Sequence, residues 1–238
     1  MKLLKARSIE GFASAAQIWL LGAVIAVVTV AAGFFALGAY RDHEATLEKG
    51  WLQAETTALV LAEQTSRMIE ISELLTGEVA EAASQNGLEY VSGAGWPRFL
   101  ERLRPVPQIG SLWILDAEGN LLASSFRTVP PATSFADREY FRLIKAGARV
   151  HISPLMFGRF SRIWFFGYNR AIEKDSELLG LVQISVHADH FKSFFERLAL
   201  GPDAAIGIYR EDGAAVMRWP LPDEDAPTLA APDICCRR

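Results

Sequence analysis

The stretch Ser111–Ser125, SLWILDAEGNLLASS, decides how this chain is read. Two apolar, strand-favouring runs, Ser111–Leu115 and Asn120–Ser125, flank Asp116-Ala-Glu-Gly119, a turn with glycine where the backbone needs positive φ. That pattern is a β-hairpin. It recurs roughly ninety residues later as Ala205–Arg210, the turn Glu211-Asp-Gly213 and the strand Ala214–Arg218. Two copies of one supersecondary unit predict tandem modules of one kind, the second cut short.

Toward the C-terminus of the first hairpin comes a loop at Pro130-Pro131, then a short helix Arg138–Ala146 for which Asp137 is the expected cap. Val150–Ser153, Arg162–Ile172 and Leu178–Val186 read as strands, the last two joined by the polar turn Glu173–Glu177. Asp189 opens a further helix through Leu198. These runs predict an α+β fold around a five-stranded antiparallel sheet.

Toward the N-terminus, the Gly/Pro-punctuated link Gly93–Pro107 precedes the first hairpin. Before it, Leu47, Trp51, Ala54, Ala58, Leu61, Thr65, Met68, Ser72, Leu75, Val79 and Ala82 alternate spacings of four and three, the stripe of a long helix from about Asp42 to Gln85. Asn86-Gly87 is a good stop. Leu52, Leu59, Ile69 and Leu74 widen the apolar face. Such a stripe predicts dimerisation along the helix; its alternative is a helix packed only on its own domain. Further upstream, Ile18–Tyr40 reads IWLLGAVIAVVTVAAGFFALGAY, uncharged and long enough to cross a hydrocarbon core of about 30 Å. Lys2, Lys5 and Arg7 before it predict a cytoplasmic N-terminus and an extracytoplasmic remainder. A cleaved signal peptide cut after Gly38 is the competing reading, against which the length of the apolar run argues.

The chain of 238 residues carries a net charge of −4, which offers no basic field for nucleic acid. Its two cysteines, Cys235 and Cys236, are adjacent and cannot staple a fold. His187 and His190 straddle a strand–helix junction with no thiolate nearby, so no metal is expected. No nucleophile elbow, zinc-protease helix or phosphate loop occurs, and no cofactor is implied; an enzyme is not the expectation.

The order of parts resembles the double Cache sensor domains (tandem PAS-like, or PDC) of bacterial receptors. Asp137-Arg-Glu-Tyr-Phe141 is similar to that family's D-R-x-Y-F box, Gly180–Asp189 to its fifth strand and helix start, and Arg210–Gly213 with Arg218-Trp-Pro220 to the opening of its membrane-proximal module. The resemblance implies residues 1–17 in the cytoplasm, a membrane helix 18–40, a stalk helix 41–86, a distal module 87–200 and the start of a proximal module 201–220. The Pro-rich, polar tail 221–238 reads as disordered. It also implies an output module, whether histidine kinase, diguanylate cyclase or chemoreceptor, that this chain does not contain, as in a sensor cut off partway through its second module.

In the resembled family the distal pocket lies between the sheet and the segment bearing the D-R-x-Y-F box. Arg138 then matches an arginine that grips ligand carboxylates, and Tyr140 and Phe141 match aromatic walls. Asp137 stands as a helix cap first and a ligand contact second. Where the amino-acid-binding members carry an aspartate for the ligand's ammonium, this chain has Ser185, and a hydroxyl supplies no compensating charge. The expected ligand is therefore a carboxylate or another small anion. Arg162 and Arg170, evenly spaced on one predicted strand, share a face and are expected to join Arg138, with Trp113, Trp164 and Ser125 as lining. A tethered or secreted solute binder without signalling is the rival function.

Overall fold

The computed structural model describes residues 3–126, 133–197 and 205–222. The chain divides into two compact units, Met1–Val60 and Leu61–Arg238, and helix α1 (Leu3–Asn86) contributes to both. In the first unit Trp19, Val24, Ile25, Val27, Phe34 and Phe35 are exposed, and the helix contains a stretch with mean hydropathy 2.3, long and apolar enough to cross a membrane. The span and the stalk, separate in the sequence reading, are one continuous helix.

In the second unit the chain continues through α2 (Leu88–Ser92) and α3 (Trp96–Leu103), so the Gly/Pro-punctuated link Gly93–Pro107 carries a helix over Trp96–Leu103. Gly87, at φ 88°, breaks α1 from α2, a conformation that glycine adopts without a Cβ penalty. Pro97 occupies the first turn of α3, where its missing N–H costs nothing. The strands follow as β1 (Ile109–Asp116) and β2 (Leu121–Ser124). In the turn between them Asp116 Oδ1 accepts from the backbone N–H groups of Glu118 at 3.0 Å and Asn120 at 2.8 Å, and Gly119 sits at φ 86°. Then come α4 (Glu139–Lys145), β3 (Val150–Ile152), β4 (Met156–Phe157), β5 (Trp164–Lys174) and β6 (Glu177–His187). Positive φ at Asp175 and Ser176 closes β5 onto β6 in a two-residue turn, tighter than the five-residue turn expected.

The antiparallel sheet runs β2-β1-β6-β5-β3, and β4 also pairs with β5. The five-stranded path matches the sequence reading; β4 is additional, and β5 begins two residues later than expected. One face carries Leu112, Ile114, Phe166, Ile172, Val182, Ile184 and Val186 in one buried cluster with Leu61, Met68, Val79 and Ala83 of α1 and Phe99 of α3. From Leu61 onward the heptad stripe is therefore spent on the chain's own sheet. The opposite face carries Trp113, Leu115, Ala171 and Leu181, packed against Phe135 and against Tyr140, Phe141 and Ile144 of α4.

After β6, α5 (Asp189–Arg197) leads to a second sheet, the hairpin β7 (Ile206–Tyr209) and β8 (Ala215–Trp219), within a residue of the expected strands. Phe195 of α5 stacks on Trp219 with centroids 5.8 Å apart. The backbone N–H of Leu155 donates to the carbonyl of Ala215 at 2.7 Å, and Arg210 Nη1 donates to the carbonyl of Ile152 at 2.9 Å. The second hairpin is thereby tied to the β3–β4 edge of the first module. The expected tail 221–238 lies almost wholly outside the described residues.

Candidate functional site

Period-two alternation sets what can face α4. On β6 that row is Leu181, Gln183, Ser185 and His187, and on β1 it is Ser111, Trp113 and Leu115. The apolar end of this surface is sealed by α4. The polar end is not. There a cavity of about 50 Å³ opens, several times what one water needs. Its lining includes Ser111, Trp113, Gln183, Ser185 and His187 from the sheet, Phe135, Arg138 and Tyr140 from the approach to α4, and Met156–Ser161 from β4 and its loop. Among the described lining residues there is no Asp or Glu.

Several of these groups are committed to one another. Gln183 Nε2 donates to Asn169 Oδ1 at 2.7 Å, and the Gln183 side chain is also hydrogen-bonded to the Tyr140 hydroxyl. Burial pushes the Tyr140 phenol above its ordinary range, while nearby Arg138 pulls the other way, so Tyr140 is a neutral hydroxyl. Trp113 Nε1 donates to Ser111 Oγ at 2.6 Å. Trp113 is edge-on to Phe135, which is edge-on to Phe160, so aromatic rings form one wall. Arg159 Nη2 donates to Asp137 Oδ2 at 2.9 Å, and that bond holds the Asp137 carboxyl below the usual carboxylate range.

Several polar groups remain unspent. Among the described residues, Arg138, Ser185 and His187 have no hydrogen-bond or ion-pair partner for their side chains, and all three line the cavity. Arg138 is the N-cap residue of α4, in extended geometry with ψ 141°, which ends the preceding loop and points the chain into the helix. Burial pushes the His187 imidazole below its ordinary range, with Asp189 opposing weakly, so it is neutral near pH 7.

Of the residues expected from sequence, Arg138, Tyr140, Ser185 and Trp113 converge here. The others do not. Phe141 points into the core beneath α4 and is 2% exposed. Ser125 is used inside the hairpin, its Oγ accepting from the Leu112 N–H at 2.9 Å. Asp137 makes no side-chain cap and pairs with Arg159 instead. Trp164 packs edge-on to Phe157 and against the α1-side cluster. Arg162 precedes β5 at φ 55° and lies over the Phe157 ring at 4.7 Å. Arg170 faces α1, where Nη2 reaches Glu73 at 3.2 Å and Nε donates to Thr76 Oγ1 at 3.2 Å. Arg170 thus lies on the α1 face of β5, and Arg162 falls before the strand begins, so the expected even spacing along one strand does not hold for the pair.

Sequence reasoning missed Gln183, Ser111, Arg159, Phe135, Met156, Phe160 and His187. The β6 members were available in principle, since Gln183, Ser185 and His187 are polar residues at alternate positions of an otherwise apolar strand. The loop members come from β4, which carries only two residues of strand signal.

One face of the sheet is thus sealed by α1, and the other is half-covered by α4 and the β4 loop. The family model described as histidine kinase sensor domain, of double Cache type, matches residues 188–230. Among solved structures, the sensor domain of the V. cholerae histidine kinase DctB is 20% identical, with 74% of this chain and 68% of that chain covered and a TM-score of 0.54. The sensory domain of the Campylobacter jejuni chemoreceptor Tlp3, with isoleucine bound, is 12% identical over 74% and 71% with a TM-score of 0.57. The ligand-binding domain of the Pseudomonas fluorescens chemoreceptor CtaA, in complex with L-isoleucine, is 15% identical over 68% and 64% with a TM-score of 0.52. No curated protein matches the chain by sequence. The chain has the double Cache sensor fold, that of histidine kinase and chemoreceptor sensor domains.

Proposed function

We propose that this chain is a membrane-anchored extracytoplasmic sensor domain that binds a small carboxylate, or another small anion, in the cavity of its first module. The observation that carries this reading is an arginine without a partner in a cavity whose described lining has no acid. A guanidinium taken partly out of water needs an anion, and a planar carboxylate meets it bidentately. An amino-acid ligand would bring an ammonium as well, and Ser185 gives it no countercharge. Residues 18–40 supply the anchor, with the N-terminus in the cytoplasm as the early lysines and arginine imply. Exposed Leu47, Trp51 and Leu52 on α1 are available to a second copy of the chain, the arrangement by which a stalk could pass a signal on.

Calorimetric titration of the full chain in detergent micelles tests the ligand class. Crotonate, fumarate and isoleucine serve as probes. A carboxylate without an ammonium is expected to bind more tightly than isoleucine, and Arg138→Ala to weaken it about 10–100-fold. Equal carboxylate affinity in wild type and variant, or a clear preference for isoleucine, overturns the reading.

A further inference from the structure

The cavity has a second polar end that the arginine does not explain. His187 closes the row that begins with Gln183 beneath Tyr140, four residues and about 13 Å further along β6. Its ring occupies space that only a glycine opposite allows. A Cβ at Gly110 would overlap the imidazole outright, with Nε2, Cδ2 and Cε1 the nearest atoms. The β1–β6 register shifts between Ile109 and Ser111, so Gly110 lies in a local bulge that makes this recess. Phe165 is the cross-strand neighbour on the other side. Ser185 and Ser111 flank the ring along the sheet, the latter with its oxygen already engaged by Trp113. Nothing among the described residues uses the imidazole's donor or its acceptor.

We propose that His187 is a specificity-determining residue of this site, the recognition point for the far end of a two-ended anion whose near end is held by Arg138. This rests on the carboxylate reading above and deepens it. A ligand with one carboxylate satisfies only the arginine end and gives His187 and Ser185 no anion. A ligand with a second carboxylate presents that group to a neutral imidazole, and the imidazole takes up a proton from solvent to become its ion-pair partner. Binding of the dianion is thereby linked to pH. Affinity rises as pH falls toward the imidazole's range, because the bound state holds the proton more tightly than the free state. The groups that bear on His187 are few. From β1 it meets Gly110 and Ser111, from β5 Phe165, and from its own end of the chain Asp189; the cavity's cations are Arg138 and Arg159.

Fumarate and crotonate make the test, since they share a shape and differ in whether the far end is a carboxylate or a methyl. Wild-type chain in micelles is titrated with each between about pH 8 and about pH 6, a range in which fumarate remains a dianion. Fumarate affinity is expected to rise several-fold across that range and crotonate affinity to stay flat. In buffers of differing ionisation enthalpy, fumarate binding is expected to take up close to one proton near the lower end. His187→Gln keeps a hydrogen-bonding side chain and removes the titration, so it should flatten the fumarate profile and abolish the proton uptake on fumarate binding. Fumarate binding with no proton uptake in the wild type overturns the role of His187 and leaves the carboxylate reading intact. An undiminished pH profile in His187→Gln does the same. Absence of binding by both probes overturns both proposals.

Discussion

The two faces of the first sheet are built from the same three long strands and end in opposite states. On the α1 side Leu112, Ile114, Phe166, Ile172, Val182, Ile184 and Val186 are apolar and buried, and Arg170 on the same face is taken up by Glu73 and Thr76. On the α4 side apolar packing stops halfway along β6. Gln183, Ser185 and His187 follow Leu181, and Arg138 has no partner among the described residues. A face that must hold a long helix is completed by its own residues. The face proposed to receive a solute keeps donors unspent, at a cost in stability that the sealed face offsets.

The largest effect expected from this contrast is on the sealed side. Phe166 is 1% exposed in the α1-side cluster, and Phe166→Ala should destabilise the chain by about 3–5 kcal/mol, read as a lowered midpoint in urea. A loss below about 1 kcal/mol means the α1 face is not the stabilising one. Arg138→Ala is the counterpart across the sheet. Because Arg138 makes no described ion pair, its removal should change stability by no more than about 0.5 kcal/mol while carboxylate affinity falls as stated above. A large stability loss with unchanged affinity would make Arg138 a structural residue and reverse the contrast.

Arg170→Ala comes next. Its guanidinium is 23% exposed but Glu73 is 58% exposed, so solvent screens much of the pair. Thr76 Oγ1 keeps its donation to the Ser72 carbonyl at 2.7 Å. A loss of about 1 kcal/mol is expected, with crotonate binding unaltered. A tenfold loss of binding from this side of the sheet would show that the two faces are coupled through β5.

The difference between the faces also explains what could be read without coordinates. The hairpin at Asp116–Gly119 and its echo at Glu211–Gly213 rest on local turn chemistry, and they lie where expected. The long helix is legible from its stripe. What the stripe packs against is not, because a heptad pattern facing a sheet and one facing a partner helix use the same residues. Likewise the parity of Arg170 along its strand is legible (Arg162 falls before the strand begins), whereas the side on which α1 lands decides what that parity faces. That is a tertiary fact. Only where one strand changes character within a single face, at Leu181 to Gln183, does the sequence mark the cavity itself. Arg159 and Phe160 were out of reach because a two-residue strand followed by a loop has no period to read.

Asp137→Asn is the smallest perturbation and separates two roles for one residue. Asp137 sits 62% exposed at its pair with Arg159, which is 45% exposed, so the stability change should stay within about 0.5 kcal/mol. The pair's effect on the site is electrostatic. Freed of its partner, Arg159 adds positive potential at a cavity it already lines, and crotonate affinity should rise by about two- to threefold at low salt, less as salt is added. Arg159 keeps the Asp137 carboxyl below the ordinary carboxylate range, so Asp137 stays charged throughout the range in which His187 titrates. The variant should therefore shift the fumarate profile as a whole without changing its slope. A fall in affinity instead of a rise would mean that Asp137 touches the ligand directly, and the cavity would then carry an acid beside its arginine and accept an ammonium after all.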